Sequence, residues 1–134
     1  MKAIRCREWG APGVLRLEEA ESPSLQPHQV RIRVRAAGVN FADSLMVGGT
    51  YQVKPPFPFT PGLEAAGEIV ETGSAVDGLQ AKQRVLAVLR NGGGYAEEIV
   101  LDAAALAPIP VAFAASGTKN GFPAPNKEPP TNQK

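Results

Sequence analysis

Cys6 and His28 are the only thiol and the only imidazole among 134 residues, so they set the first limits on chemistry. A nucleophilic thiol needs a base beside it. Cys6 sits in a first strand-like run with apolar neighbours and no base, and reads as a buried, inert thiol. His28 lies in a polar turn, Gln26-Pro27-His28-Gln29, where the sequence offers it no partner. One cysteine excludes both an internal disulfide framework and a cysteine-cluster zinc site. Arg31, Arg33 and Arg35 make a basic stripe on one strand face, but no aromatic residues interleave with it. It reads as a solvated face and not as a phosphate track. Asn91-Gly92-Gly93-Gly94 precedes a strand and lacks the spacing of a dinucleotide fingerprint. No helix start is available there for a pyrophosphate, so it is a turn.

The elements that must position any site are short. Alternating or β-branched runs give candidate strands at Lys2–Arg7, Val14–Glu19, Val30–Ala36, Gly67–Glu71, Arg84–Leu89 and Tyr95–Leu101. Val30-Arg-Ile-Arg-Val-Arg-Ala36 is the clearest, with strict apolar/charged alternation and therefore one wet face. Gly and Pro cluster at Gly10–Gly13, Pro23–Pro27, Gly73–Gly78 and Asn91–Gly94, which places the turns. The spacing predicts a mainly β fold, a partly open antiparallel barrel. One short helix interrupts it. Asn40 can cap that helix by accepting a bond from a free backbone N–H, and Asp43 favours its positive start. Phe41, Leu45 and Met46 supply its apolar face, and Gly48-Gly49 ends it.

Bulk properties bound the rest. The length predicts one domain, and 43% hydrophobic residues suffice for a core. A net charge of +1 gives no field for nucleic acid. No apolar run approaches the ~20 residues of a membrane span, and Met1-Lys-Ala-Ile-Arg5 lacks the apolar core of a signal peptide. The default setting is a reducing cytoplasm. From Ser116 to Lys134 prolines, glycines and asparagines dominate, with Phe122 the only large apolar residue. Such a segment cannot offset its ordering entropy, so residues 111–134 are predicted to be a disordered tail.

Three segments carry a family likeness: Gly38-Val-Asn-Phe-Ala-Asp43, Gly48-Gly-Thr-Tyr51 and Pro58-Phe-Thr-Pro-Gly-Leu-Glu64. Together they resemble the catalytic-domain signature of the medium-chain dehydrogenase/reductase superfamily, in its zinc-free, zeta-crystallin-type quinone oxidoreductase branch. The matching frame runs from Met1 to about Pro110. The resemblance implies a GroES-like domain over 1–110. In the zinc-binding alcohol dehydrogenases of this superfamily a cysteine and a histidine ligand stand where this chain has Asn40 and Leu63. Neither can replace them around tetrahedral zinc, so no metal is expected.

The resemblance further implies NADPH-dependent hydride transfer to a quinone or an α,β-unsaturated carbonyl. Conjugation spreads the incoming charge, so a hydrogen-bond donor and a proton source suffice. Asn40 and Phe41 would then contact the cofactor, Asn40 near the nicotinamide ribose. Asn40 and Tyr51 would be the catalytic pair, with Tyr51 offering its phenol to the substrate oxygen and its ring to a flat acceptor. Each also has a plain reading. Asn40 is a good N-cap with or without a cofactor, and Tyr51 lies in a Gly/Pro-rich loop where tyrosine covers a core edge. Asp43 and Glu64, both in the signature, read as a helix-start charge and a turn or packing anchor.

Two departures qualify the likeness. The family writes Gly-Asp-Arg-Val where this chain reads Lys82-Gln83-Arg84-Val85, which costs about 1 kcal/mol if positive φ is required there. It also removes an aspartate turn bond, so a distorted loop is expected. No nucleotide-binding domain is visible in the sequence. The expectation is a truncated oxidoreductase, inactive alone and unable to hold NADPH. The alternative is a binding module that pairs with a full-length homologue, with another partner or with itself. A co-chaperonin role is not supported, because no mobile loop carries an apolar docking tripeptide.

Overall fold

The computed structural model describes residues 1–110. The tail predicted for 111–134 lies outside the described residues. Seven strands and one α-helix follow in chain order. Strands β1 (Lys2–Arg5) and β2 (Arg16–Glu19) pair antiparallel as a separate two-stranded sheet. Strands β3 (Gln29–Ala37), β4 (Glu64–Thr72), β5 (Arg84–Val88), β6 (Glu98–Asp102) and β7 (Leu106–Pro108) form the main sheet. Its order is β6-β3-β4-β5-β7, antiparallel throughout and open between β6 and β7. The mainly β, partly open architecture is therefore as expected. Helix α1 (Phe41–Val47) fills the connection from β3 to β4.

The alternation of β3 positions the larger core. Val30 and Ile32 point inward and meet Ala65, Ile69, Val85, Ala87, Leu89 and Ile99. The arginines take the other face, where the register sets Arg31 against Glu71 and Arg33 against Glu68. Arg31 pairs with Glu71 at 3.0 Å and Arg35 with Glu68 at 3.1 Å. The stripe is thus the wet, ion-paired face that its spacing suggests. A smaller core of Cys6, Met46, Val47 and Phe59 lies under α1.

Several expectations need correction. Val14 closes a 3₁₀ turn over Pro12–Val14, and its strand begins only at Arg16. Pro12 fixes φ at the start of that turn. The run expected from Tyr95 to Leu101 changes partner part-way: the Tyr95 carbonyl accepts from Ile4, the Glu97 carbonyl accepts from Val34, and continuous pairing with β3 covers only Glu98–Asp102. Cys6 lies just beyond β1, in an isolated bridge to Phe59. Strand β4 starts at Glu64, earlier than the Gly67 expected, because Ala65 and Ala66 carry no β-branched signal. β7 has no counterpart among the expected strands; it is three residues long, ends in a proline and sits at the sheet edge, where proline is tolerated. His28 does have a partner, since its Nε2 lies 3.2 Å from Asp102 Oδ1.

The Lys82 turn bears out the strain but not the distortion. Lys82 is the only non-glycine residue with positive φ among the described residues, at 71°. The loop is nevertheless held. Lys82 N–H donates to the Ile69 carbonyl at 2.7 Å, and Gln83 Oε1 accepts from Gln80 N–H at 3.2 Å. Gln83 thus supplies a turn bond from its own side chain.

Candidate functional site

Helix α1 is one short turn system wedged between two glycine-containing loops, and Asp43 ties all three together. Asp43 is the only buried charged residue among the described residues, at 4% exposure. Its Oδ2 accepts from Asn40 N–H at 2.8 Å and from the Tyr95 hydroxyl at 2.9 Å. Its Oδ1 accepts from Gly62 N–H at 3.1 Å. A buried carboxylate is tolerated only with such a full set of donors. The Gly38 carbonyl lies 3.2 Å from the Tyr95 hydroxyl as a second acceptor. Burial, the bond to Asp43, and the charges of Asp43 and Glu64 hold the Tyr95 phenol well above its ordinary value.

Gly62 has to be glycine. Its φ is +103°, and a Cβ there would sit 2.8 Å from Gly94 Cα, Tyr95 Cδ1 and Tyr95 N. The Asn91–Gly94 turn packs straight onto this loop, with Gly93 N–H donating to the Thr60 carbonyl at 2.7 Å. It is a structural turn, as read.

The residues singled out in sequence fall at the two ends of α1. Asn40 is the N-cap residue, with extended φ and ψ of −116° and 156°. It stands in a capping-box relation to Asp43, but the arm with a full hydrogen bond is the reverse one, from Asn40 backbone N–H to the Asp43 carboxylate. The other arm sets the Asn40 side chain against the Asp43 backbone N–H, so Asn40 is the helix cap expected of it, although its residue stays exposed. Phe41 is a correction. Expected on the apolar face, it is instead 79% exposed, because the inward face of this helix is Asp43, Met46 and Val47. Their i, i+3, i+4 spacing leaves the first residue pointing away.

Tyr51 lies past the other end. Its N–H donates to the Leu45 carbonyl at 3.1 Å, and its ring packs on the Cys6, Met46, Val47 and Phe59 cluster. No hydrogen bond of its hydroxyl is found among the described residues, and no buried side-chain oxygen or nitrogen there lacks a partner. Tyr51 as a whole is half-buried. The seven residues of α1 separate Tyr51 from Asn40 by roughly 10 Å of helix rise. Asn40 and Phe41 thus stand exposed at one end of α1, and Tyr51, half-buried, stands past the other. Glu64 opens β4, exposed, with its side chain lying over Gly38.

The residue that sequence reasoning missed is Tyr95. Its sequence context places it only in a strand, and its one local signal is the glycine run before it. Leu63 packs beside the smaller core. No three His, Cys, Asp or Glu side chains converge among the described residues.

Residues 26–111 match the alcohol dehydrogenase GroES-like domain. The chain belongs to that family. This GroES-like domain is 47% identical over 109 residues to a quinone oxidoreductase-like protein 2 homolog of Nematostella vectensis, covering 81% of this chain and 30% of that protein. It is 44% identical over 98 residues to a quinone oxidoreductase of Lama guanicoe, covering 72% and 30%. Among solved structures it is similar to the quinone oxidoreductase of Thermus thermophilus, also solved in complex with NADPH. That match has a TM-score of 0.68 at 34% identity and covers 82% of this chain and 32% of the other. The GroES-like chain spans about a third of the length of these relatives. No helix among the described residues is long and apolar enough to cross a membrane.

Proposed function

We propose that this GroES-like domain supplies the catalytic-domain part of an NADPH-dependent reductase of quinones or α,β-unsaturated carbonyls, working without zinc. One observation carries the reading: the exposed Asn40–Phe41 pair and the half-buried Tyr51 stand at opposite ends of α1. The similarity to quinone oxidoreductases selects the substrate class. The cofactor would supply a hydride. The described residues suit its nicotinamide end, because their main sheet is antiparallel throughout and not the parallel sheet on which a dinucleotide's pyrophosphate rests.

In this reading the Asn40 amide hydrogen-bonds near the nicotinamide ribose, and the exposed Phe41 ring gives an apolar surface beside it. Tyr51 donates its hydroxyl to the substrate oxygen, where negative charge collects as the conjugated system accepts the hydride. Its ring, backed by the smaller core, holds the acceptor flat. The zinc-free chemistry is supported by Asn40 and Leu63 standing at the family's ligand positions and by the lack of a converging donor set among the described residues. A reducing, cytoplasmic setting goes with the single thiol, Cys6, and its buried, unpaired state.

The 134-residue polypeptide assayed alone with NADPH and a quinone should give no turnover above the no-protein control. A chimera in which residues 1–110 replace the corresponding domain of an NADPH quinone reductase should turn over. There Tyr51→Phe lowers kcat/KM by about a hundredfold, as loss of a proton or hydrogen-bond donor does. Asn40→Ala raises the KM for NADPH. An active isolated chain, or a chimera indifferent to Tyr51→Phe, overturns the assignment.

A second reading is an interaction module. Leu86 and Val88 on β5, and Val39 and Phe41 before and at the start of α1, are large apolar residues left exposed. The register brings their segments near one another, since Val88 pairs with Glu64 and the Glu64 carbonyl accepts from Gly38 N–H. Such exposed apolar residues predict self-association or pairing with a longer homologue. Sedimentation of the chain, alone and with such a homologue, decides: a monomer that forms no complex counts against the module.

A further inference from the structure

The link from β3 to α1, Gly38-Val39-Asn40, is not held by packing. Val39 is 84% exposed, Asn40 is exposed, and so is Phe41 just beyond them. Polar ties hold the link instead. Gly38 N–H donates to the Glu64 carbonyl at 3.3 Å, and Asn40 N–H donates to Asp43 Oδ2 at 2.8 Å. The Tyr95 hydroxyl stands between the two ends of the link. It lies 3.2 Å from the Gly38 carbonyl and 2.9 Å from the Asp43 oxygen that Asn40 uses.

Tyr95 is itself a fixed post. Its N–H donates to the Pro61 carbonyl at 3.0 Å, and its own carbonyl accepts from Ile4 N–H at 2.8 Å. Its ring lies against Gly62, where a Cβ would come within 2.8 Å of Tyr95 Cδ1. Tyr51 is held by other means: the Leu45 carbonyl and the cluster of Cys6, Met46, Val47 and Phe59, to which Tyr95 does not belong. The Tyr95 hydroxyl therefore bears on one end of α1 and not on the other.

We propose that Tyr95 is a positioning residue for the cofactor end of the site, its hydroxyl fixing the Asn40 amide through Asp43 and the Gly38 carbonyl; this rests on the reductase reading above. Hydrogen bonds weaken steeply as they bend, so an amide that swings at its backbone loses much of its hold on a ligand. An exposed link has no packing to stop that swing. Tyr95→Phe removes the one donor and keeps the ring against Gly62. Asp43 then still accepts from Asn40 N–H and Gly62 N–H, so the helix start persists while its second tie to Gly38 is lost.

The test titrates the full 134-residue chain, labelled with nitrogen-15, with reduced nicotinamide mononucleotide and reads the Phe41 amide resonance. Expected is a weak, saturable shift, with affinity lowered about fivefold by Tyr95→Phe, the worth of one hydrogen bond. Asn40→Ala weakens binding further. The double variant should be no weaker than Asn40→Ala alone, because Tyr95 acts through Asn40. The same spectra show whether each variant is folded, and trimethylamine oxide restores one that is not. In the chimera, Tyr95→Phe should raise the KM for NADPH by the same factor and keep the KM for quinone within about twofold. A partly unfolded variant would lower kcat and leave both KM values alone. No effect of Tyr95→Phe on the mononucleotide, an additive double variant, or both KM values rising alike overturns the proposal and leaves the reductase reading standing. A wild-type chain without a shift and a chimera without turnover remove that reading, and the proposal with it; with turnover alone, the two KM values decide.

Discussion

The Tyr95 hydroxyl donates to Asp43 Oδ2 at 2.9 Å across 52 residues of sequence. That bond, with the Gly62 N–H on the other carboxylate oxygen, clasps the start of α1 to two glycine-rich turns. It sets where Asn40 and Phe41 emerge, because Asn40 N–H shares the same Asp43 oxygen. A seven-residue helix is too short to be stable by propensity, so its placement depends on such ties.

Removing the hydroxyl isolates that tie. Tyr95→Phe lowers stability by about 2 kcal/mol, the worth of a hydrogen bond to a buried charge. Folding keeps the proton on Tyr95 where the unfolded chain loses it, so the folded state binds more protons at alkaline pH. The stabilisation is fully present below pH ~10 and falls as pH rises above it. Urea titrations from pH 7 to 11 read both effects. The variant should lose less stability than the wild type over the alkaline range; parallel curves would refute the assignment.

The Lys82 turn offers the opposite experiment. Lys82 holds φ at 71° without needing its side chain for the turn, whose bonds run through its backbone and Gln83. Lys82→Gly relieves the left-handed strain and should raise stability by about 1 kcal/mol, allowing for the greater freedom of an unfolded glycine. A higher urea midpoint with unchanged slope is the expected result. A lower midpoint would mean that the strain is not there.

Cys6 tests the smaller core. It is fully buried, and its thiol donates to the Glu8 carbonyl at 3.2 Å. Burial, aided by the Glu8 charge, pushes the thiol above its ordinary pKa despite that bond. Labelling by a disulfide reagent at pH 8 should therefore be slow and follow the rate of unfolding. Labelling as fast as a free thiol in native buffer contradicts the packing of Met46, Val47 and Phe59 around it.

Local pattern carries far in some places and fails in others for identifiable reasons. The alternation of Val30 to Ala36 yields both the strand and its wet face, since a period of two leaves one solution once a core exists. The Leu106–Pro108 edge strand leaves no mark, because three residues cannot show a period. Phe41 misleads, because hydrophobicity does not amount to burial in a helix whose buried set includes a carboxylate. His28 finds Asp102 only through the pairing of Gln29 with Asp102 in adjacent strands.

By itself the sequence determined what this chain can be made of: antiparallel strands cut by glycine and proline, one capped helix and a family signature. Those follow from side-chain type and near spacing, which act over a few residues. Only the tertiary structure decided that Tyr95 completes Asp43, that Phe41 stands in water, and that Trp9 and Phe57 meet above Gly49. Each of these joins segments far apart in the chain, and such meetings are chosen by strand register and by competition for buried donors. No local preference encodes them.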